Sequence, residues 1–139
     1  MIGGLIVTHG HLAHELLNAA QTIEGELTGI EAVPLDWNDT VEQAREKIQE
    51  ALERLGNEHG VIIFTDMFGG TPSNISLSFL EKDRIEIITG VNLPMIVKFG
   101  SLHRDCNDVS AMARIIREKG SKSIRVASDL LSNERNGGS

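Results

Sequence analysis

Hydrophobic positions along the chain follow two periods in alternation. Ile2 to Thr8 and Val61 to Thr65 are continuous apolar runs, the pattern of parallel strands covered on both faces. Residues 30–35 form a weaker strand, and Pro34, which cannot donate to a ladder, puts it at a sheet edge. Ile85 to Thr89 reads as a fourth strand and Lys122 to Ala127 as a final short one. Between them the spacing turns helical. Residues 11–23 carry Leu12, Leu16, Ala20 and Ile23 at core spacing, with Ala13 and Leu17 beside them. A second helix opens on a capping box of Asp39 and Glu42, carries Val41, Ala44, Ile48, Ala51, Leu52 and Leu55 inward, and ends at Gly56. A third starts with Thr71 as N-cap and Pro72 in the first position, and runs to about Leu80. A short helix at 94–100 and a last one at 108–119, with Val109, Met112, Ala113 and Ile116 inward, complete the series. This alternation predicts an α/β fold, a three-layer α/β/α sandwich around a mostly parallel sheet.

Composition narrows the picture without changing it. A chain of 139 residues suits one domain, expected over residues 1–131, with 132–139 a polar, glycine-rich tail or linker remnant. The net charge of −7 argues against nucleic acid as a partner, and the scattered Lys and Arg residues form no basic patch. The single cysteine, Cys106, precludes an intrachain disulfide and fits a reducing compartment. The apolar run that ends at Thr8 is too short for a signal peptide or membrane span, so a cytoplasmic location is expected.

Right-handed crossovers place the loops after the first, third and fourth strands along one edge of the sheet. Those loops hold His9, Asp66 and Asn92. A neutral imidazole attacks phosphorus well when one ring nitrogen is bare and the other donates to a carboxylate, which fixes the tautomer and stabilises the developing charge. His9 is the candidate nucleophile and Asp66 the group that orients it. A transferred phosphoryl group also needs donors on its oxygens. Two helix starts can supply them through Gly10, His11, Gly70, Thr71, Ser73 and Asn74. No phosphate-loop lysine or dinucleotide glycine fingerprint is present. A competing pattern is His9-Gly10-His11-Leu12-Ala13-His14, which has the spacing of the zinc motif of metallo-β-lactamase-like hydrolases. Ala13 stands where that motif carries its aspartate, and His59 and His103 lie in no recognisable ligand cluster. No metal site is therefore expected.

Three stretches, taken together and in order, resemble the IIA domain of the mannose branch of the bacterial phosphoenolpyruvate:sugar phosphotransferase system. They are Thr8-His9-Gly10, Thr65-Asp66-Met67-Phe68-Gly69-Gly70-Thr71-Pro72-Ser73-Asn74, and Thr89-Gly90-Val91-Asn92-Leu93-Pro94-Met95. The resemblance implies that His9 accepts a phosphoryl group on Nε2 from the phosphocarrier HPr and passes it to a histidine of a IIB protein. Asp66 then hydrogen-bonds Nδ1. It also implies four parallel strands plus an antiparallel C-terminal edge strand, matched by Lys122 to Ala127 and exchanged in a homodimer, with no metal or organic cofactor. Phe68, Leu93 and Met95 are expected to form an apolar docking rim around His9. His11 and His14 are not motif residues of that family. The alternatives are a regulatory phosphohistidine domain, a dihydroxyacetone-kinase-type phosphocarrier, and a metal-dependent hydrolase using His9, His11 and His14.

Overall fold

The computed structural model describes residues 1–56 and 58–135. Its elements are β1 (Gly3–His9), α1 (Leu12–Glu24), β2 (Ile30–Leu35), α2 (Val41–Leu55) and β3 (Val61–Thr65), followed by α3 (Thr71–Leu77), β4 (Ile85–Thr89), α4 (Leu93–Leu102), α5 (Val109–Lys122) and α6 (Ala127–Arg135). The four strands form one sheet in the order β2-β1-β3-β4, with every pairing parallel. The proline-bearing strand β2 lies at an edge, as expected.

The strand period sorts side chains into two cores. Ile6, Ile62, Phe64 and Ile88 point to one face and pack with Ala13, Ala20, Ile96, Phe99, Met112 and Ile116 from α1, α4 and α5. Leu5, Val7, Ile63 and Val61 point to the other and meet Ala44, Ile48, Ala51 and Ile75 from α2 and α3. Each fully buried aliphatic or aromatic side chain contributes roughly 1.5–3 kcal/mol. Phe64 and Phe99 meet edge to face at 5.8 Å. The Phe99 ring lies so close to Gly4 that a Cβ there would stand 2.7 Å from it. Glycine at position 4 is what lets α4 settle on the sheet.

Several boundaries differ from the expected ones, each for a local reason. The N-cap of α2 is Thr40, which accepts from the Gln43 N–H while the Gln43 side chain accepts from the Thr40 N–H. Asp39 is diverted to Lys47 and to the Asp36 N–H. Gly70 is the N-cap of α3, with no side-chain capping bond from Thr71, and the helix ends at Leu77. In α1 the buried stripe is centred on Ala13 and Ala20, leaving Leu12 and Ile23 exposed.

The larger correction is at the C-terminus. Lys122 to Ala127 is not a strand: α5 continues to Lys122, and its exit is closed by bonds from the Ser123 N–H to Lys119 and the Ile124 N–H to Ser121. The alternation of Ile124 and Val126 with polar residues imitates a strand. Within one chain, however, the segment turns into α6 and leaves both side chains exposed. The expected tail divides accordingly: residues 132–135 belong to α6, and 136–139 lie outside the described residues.

Candidate functional site

Strands β1 and β3 are neighbours, with Val7 paired to Thr65, so the residues just beyond them emerge side by side at the carboxyl edge. This brings together His9 and Asp66, 57 positions apart in sequence. Two donors of His9 converge on one oxygen of the carboxylate: the backbone N–H at 2.9 Å and ring Nδ1 at 2.6 Å from Asp66 Oδ2. The other oxygen accepts from the Met67 N–H at 2.9 Å. A carboxylate with both oxygens engaged cannot rotate, and because it only accepts, Nδ1 must carry the proton. In the neutral ring Nε2 is then the bare nitrogen. The pair is only partly buried, with a quarter of the histidine side chain in contact with solvent, so the ring is both held and reachable.

Thr8 and Gly10 frame this histidine. The buried Thr8 hydroxyl accepts from the Ala13 N–H at 2.7 Å, a cap that starts α1 directly after the strand. The Gly10 N–H donates to the Leu35 carbonyl of β2, continuing the ladder past His9, and a positive φ of 57° at Gly10 then turns the chain toward α1. On the other side, Gly70 lies against the imidazole, where a Cβ would stand 2.8 Å from His9 Cε1. Helices α1 and α3 thus begin within a few residues of His9 and Asp66, and their positive dipole ends favour an added anion.

The remaining predicted residues divide. Ser73 is fully buried and its hydroxyl has no partner among the described residues. His11, Thr71 and Asn74 are exposed, and the Asn74 amide turns back to the Gly69 carbonyl at 3.4 Å. Asn92 does not join the site. It caps α4 through the Met95 N–H and donates to the Gly120 carbonyl, tying α4 to α5. Of the expected apolar rim, Phe68 is exposed, Leu93 is half-buried, and Met95 belongs to the core. Met67 and Trp37 are exposed instead.

Trp37 is the site residue that sequence reasoning missed. Its indole stacks on the His9 imidazole with centroids 5.1 Å apart and planes inclined by 30°. The available signal was register: His9 pairs with Leu35, and Trp37 follows two residues later. Of the histidines in the competing metal pattern, His11 is exposed at the N-cap of α1 and His14 is exposed on its first turn, while His9 Nδ1 meets Asp66. Among the described residues, no three His, Cys, Asp or Glu side chains gather to hold a metal ion.

Comparison with known proteins gives a consistent result. A family profile described as "PTS system fructose IIA component" matches residues 3–116. The chain is 32% identical over 132 residues to the PTS system fructose-specific EIIA component of Bacillus subtilis (strain 168), covering 94% of this chain and 90% of that one. It is 29% identical over 122 residues to the mannose-specific EIIAB component of Escherichia coli (strain K12), covering 87% of this chain and only 38% of that longer protein. Among solved structures, the EIIA component from Streptococcus agalactiae superposes with a TM-score of 0.83 at 23% identity, covering 93% of this chain and 99% of that one. The PTS IIA protein associated with the fucose utilization operon from Streptococcus pneumoniae superposes with a TM-score of 0.81 at 26% identity, covering 94% and 96%.

Proposed function

The chain belongs to the mannose-type IIA family of the phosphotransferase system, and from that premise we propose that it carries a phosphoryl group on His9 between HPr and a IIB protein. The observation that carries this reading is the Nδ1–Asp66 hydrogen bond, which leaves Nε2 as the free nucleophile. In the forward step the Nε2 lone pair forms a bond to phosphorus as the P–N bond of phospho-HPr breaks, and the HPr imidazole departs with that electron pair. The reverse geometry hands the group to a histidine of IIB. Asp66 holds the Nδ1 proton and offsets the positive charge that grows on the ring during attack. Gly10, His11, Gly70, Thr71, Ser73 and Asn74 are the groups proposed to meet the phosphoryl oxygens. Imidazole-to-imidazole transfer requires no metal or organic cofactor.

The family domain is proposed to span residues 1–131 and to work in the cytoplasm. Among the described residues no helix is long and apolar enough to cross a membrane. The exposed apolar side chains of Ile124, Val126, Leu130 and Leu131 support a homodimer that covers them. The direct test is incubation with phosphoenolpyruvate, enzyme I and HPr, followed by mapping of acid-labile phosphate. The expected label is on His9, dependent on HPr, and absent in a folded His9→Gln variant. Full labelling of that variant would place the acceptor elsewhere.

A further inference from the structure

We propose that Trp37 is a positioning residue for His9, fixing the plane of the imidazole and with it the direction of Nε2. The hydrogen bond to Asp66 pins one vertex of the ring but leaves it a pivot; a contact on the ring face is what sets the plane. Trp37 is the aromatic neighbour that supplies it, at 5.1 Å between centroids.

The indole itself is 80% exposed, so burial does not explain its place. The turn beneath it does. Asp36 and Asp39 bracket Trp37 and clasp each other: the Asp39 N–H donates to the Asp36 carbonyl at 3.0 Å, and the Asp36 N–H donates to Asp39 Oδ2 at 2.8 Å. The Asn38 N–H adds a bond to Asp36 Oδ1 at 3.1 Å. Lys47 of α2 then anchors the same Asp39 oxygen at 2.6 Å. Strand β2, which leads into the turn, is in turn tied to the residue after His9 through the Gly10 N–H and the Leu35 carbonyl. An exposed side chain on a turn fastened at both ends is held for what it touches, and what it touches is His9. An indole face also attracts the ring as positive charge develops on it.

The inference rests on the phosphocarrier reading, and its test separates the two. Phosphoramidate phosphorylates imidazole directly: the Nε2 lone pair forms a bond to phosphorus as the P–N bond of the donor, protonated on nitrogen as its zwitterion, breaks, and ammonia leaves with that electron pair. This donor is too small to need a docking surface. Wild type, Trp37→Ala and Trp37→Phe are labelled with phosphoramidate and, separately, with phospho-HPr, while the emission of Trp37, the single tryptophan of the chain, is followed in the wild type. The expected result is that Trp37→Ala slows both donors by a similar factor of about three to ten. Trp37→Phe should restore most of the rate, and the indole emission should change as His9 is phosphorylated. An unchanged phosphoramidate rate in Trp37→Ala overturns the inference. So does a loss confined to phospho-HPr, which would make Trp37 a docking side chain, and so does emission indifferent to phosphorylation. Wild type labelled on His9 by phosphoramidate but not by active phospho-HPr defeats the carrier reading alone. Absence of label from both donors defeats both.

Discussion

Replacing Asp66 by asparagine tests the site with little change of shape. In the native site one carboxylate oxygen receives two N–H groups of His9 and the other receives the Met67 N–H. The amide has one oxygen for these three donors. Placed toward His9, it keeps both histidine bonds and leaves the amide NH₂ facing the Met67 N–H. That exchange removes one hydrogen bond to a charged oxygen at the rim and costs about 1.5–3 kcal/mol of stability. The Nδ1 proton still has an acceptor, so the tautomer and the bare Nε2 persist. What is lost is the negative charge opposite a ring that becomes positive during attack. Bonds to charged groups are worth about 1.5–3 kcal/mol against about 0.5–1.5 for neutral ones. With the pair partly open to solvent, the difference at the barrier is about 1–2 kcal/mol, or a loss of about 5- to 30-fold in the rate constant. Rapid-quench measurement of phosphoryl transfer from HPr, at saturating and limiting donor, reads this directly. A rate within about twofold of wild type would refute the electrostatic role. A loss near 10⁴-fold would mean that the amide had turned its NH₂ toward His9 and inverted the tautomer.

Two further predictions concern the scaffold. The buried His103, whose ring stacks on Phe99 at 4.7 Å, is held below its ordinary pKa of 6.5 first by burial and then by the charges of Arg104 and the N-terminus, against an opposing backbone hydrogen bond with Ile2. The unfolded chain therefore takes up this proton before the folded one. Stability is complete above the unfolded value and falls as pH drops below it, so denaturant melts at about pH 7.5 and about pH 5.5 should show a loss that shrinks in His103→Leu; equal losses in both proteins would remove the assignment. In Gly120→Ala the new methyl would overlap the Met95 side chain and stand 3.2 Å from Asn92 Oδ1. Overpacking outweighs the gain in helix propensity by about 1–2 kcal/mol and lowers the thermal midpoint by about 3–8 °C, whereas an unchanged or raised midpoint would show that Met95 gives way freely.

The parts of this fold that were legible in the sequence are those whose signal is local and periodic. Residues 30–35, 61–65 and 85–89 are strands with the bounds their patterns implied, because a strand that buries its faces has to carry those residues. Pro34 marked the edge for a reason contained in one residue. Caps were read one residue out where adjacent side chains compete: Asp39 and Thr40 can both cap, and only the presence of Lys47 and Asp36 around Asp39 decides between them. Lys122 to Ala127 failed differently. Alternation of apolar and polar residues states what a strand needs but not whether a sheet edge is within reach, and in this chain the backbone closes its bonds on the end of α5 instead. In the site, the meeting of His9 and Asp66 followed from topology alone. Trp37 did not, because a lone aromatic in a polar loop has no period, and its meaning lies in the pairing of His9 with Leu35. The misplacement of Met95 has the same origin: its neighbour Asn92 caps α4, and the cap turns Met95 inward toward Gly120.

The convergence of two His9 donors on one Asp66 oxygen has a consequence that neither bond has alone. The backbone N–H is part of the end of β1 and does not move with the ring, so its bond at 2.9 Å holds Asp66 Oδ2 independently of the side chain. The Met67 N–H fixes the second oxygen in the same way. The acceptor that Nδ1 meets at 2.6 Å is therefore prepared before any partner arrives, and the charge that grows on the ring finds its counter-charge without reorganisation. A carrier has to release its cargo as readily as it takes it. For the phosphocarrier role proposed for His9, a site held by the sheet rather than by the phosphoryl group meets that need, because loading and unloading would then differ in the ring's substituent and not in the arrangement around it.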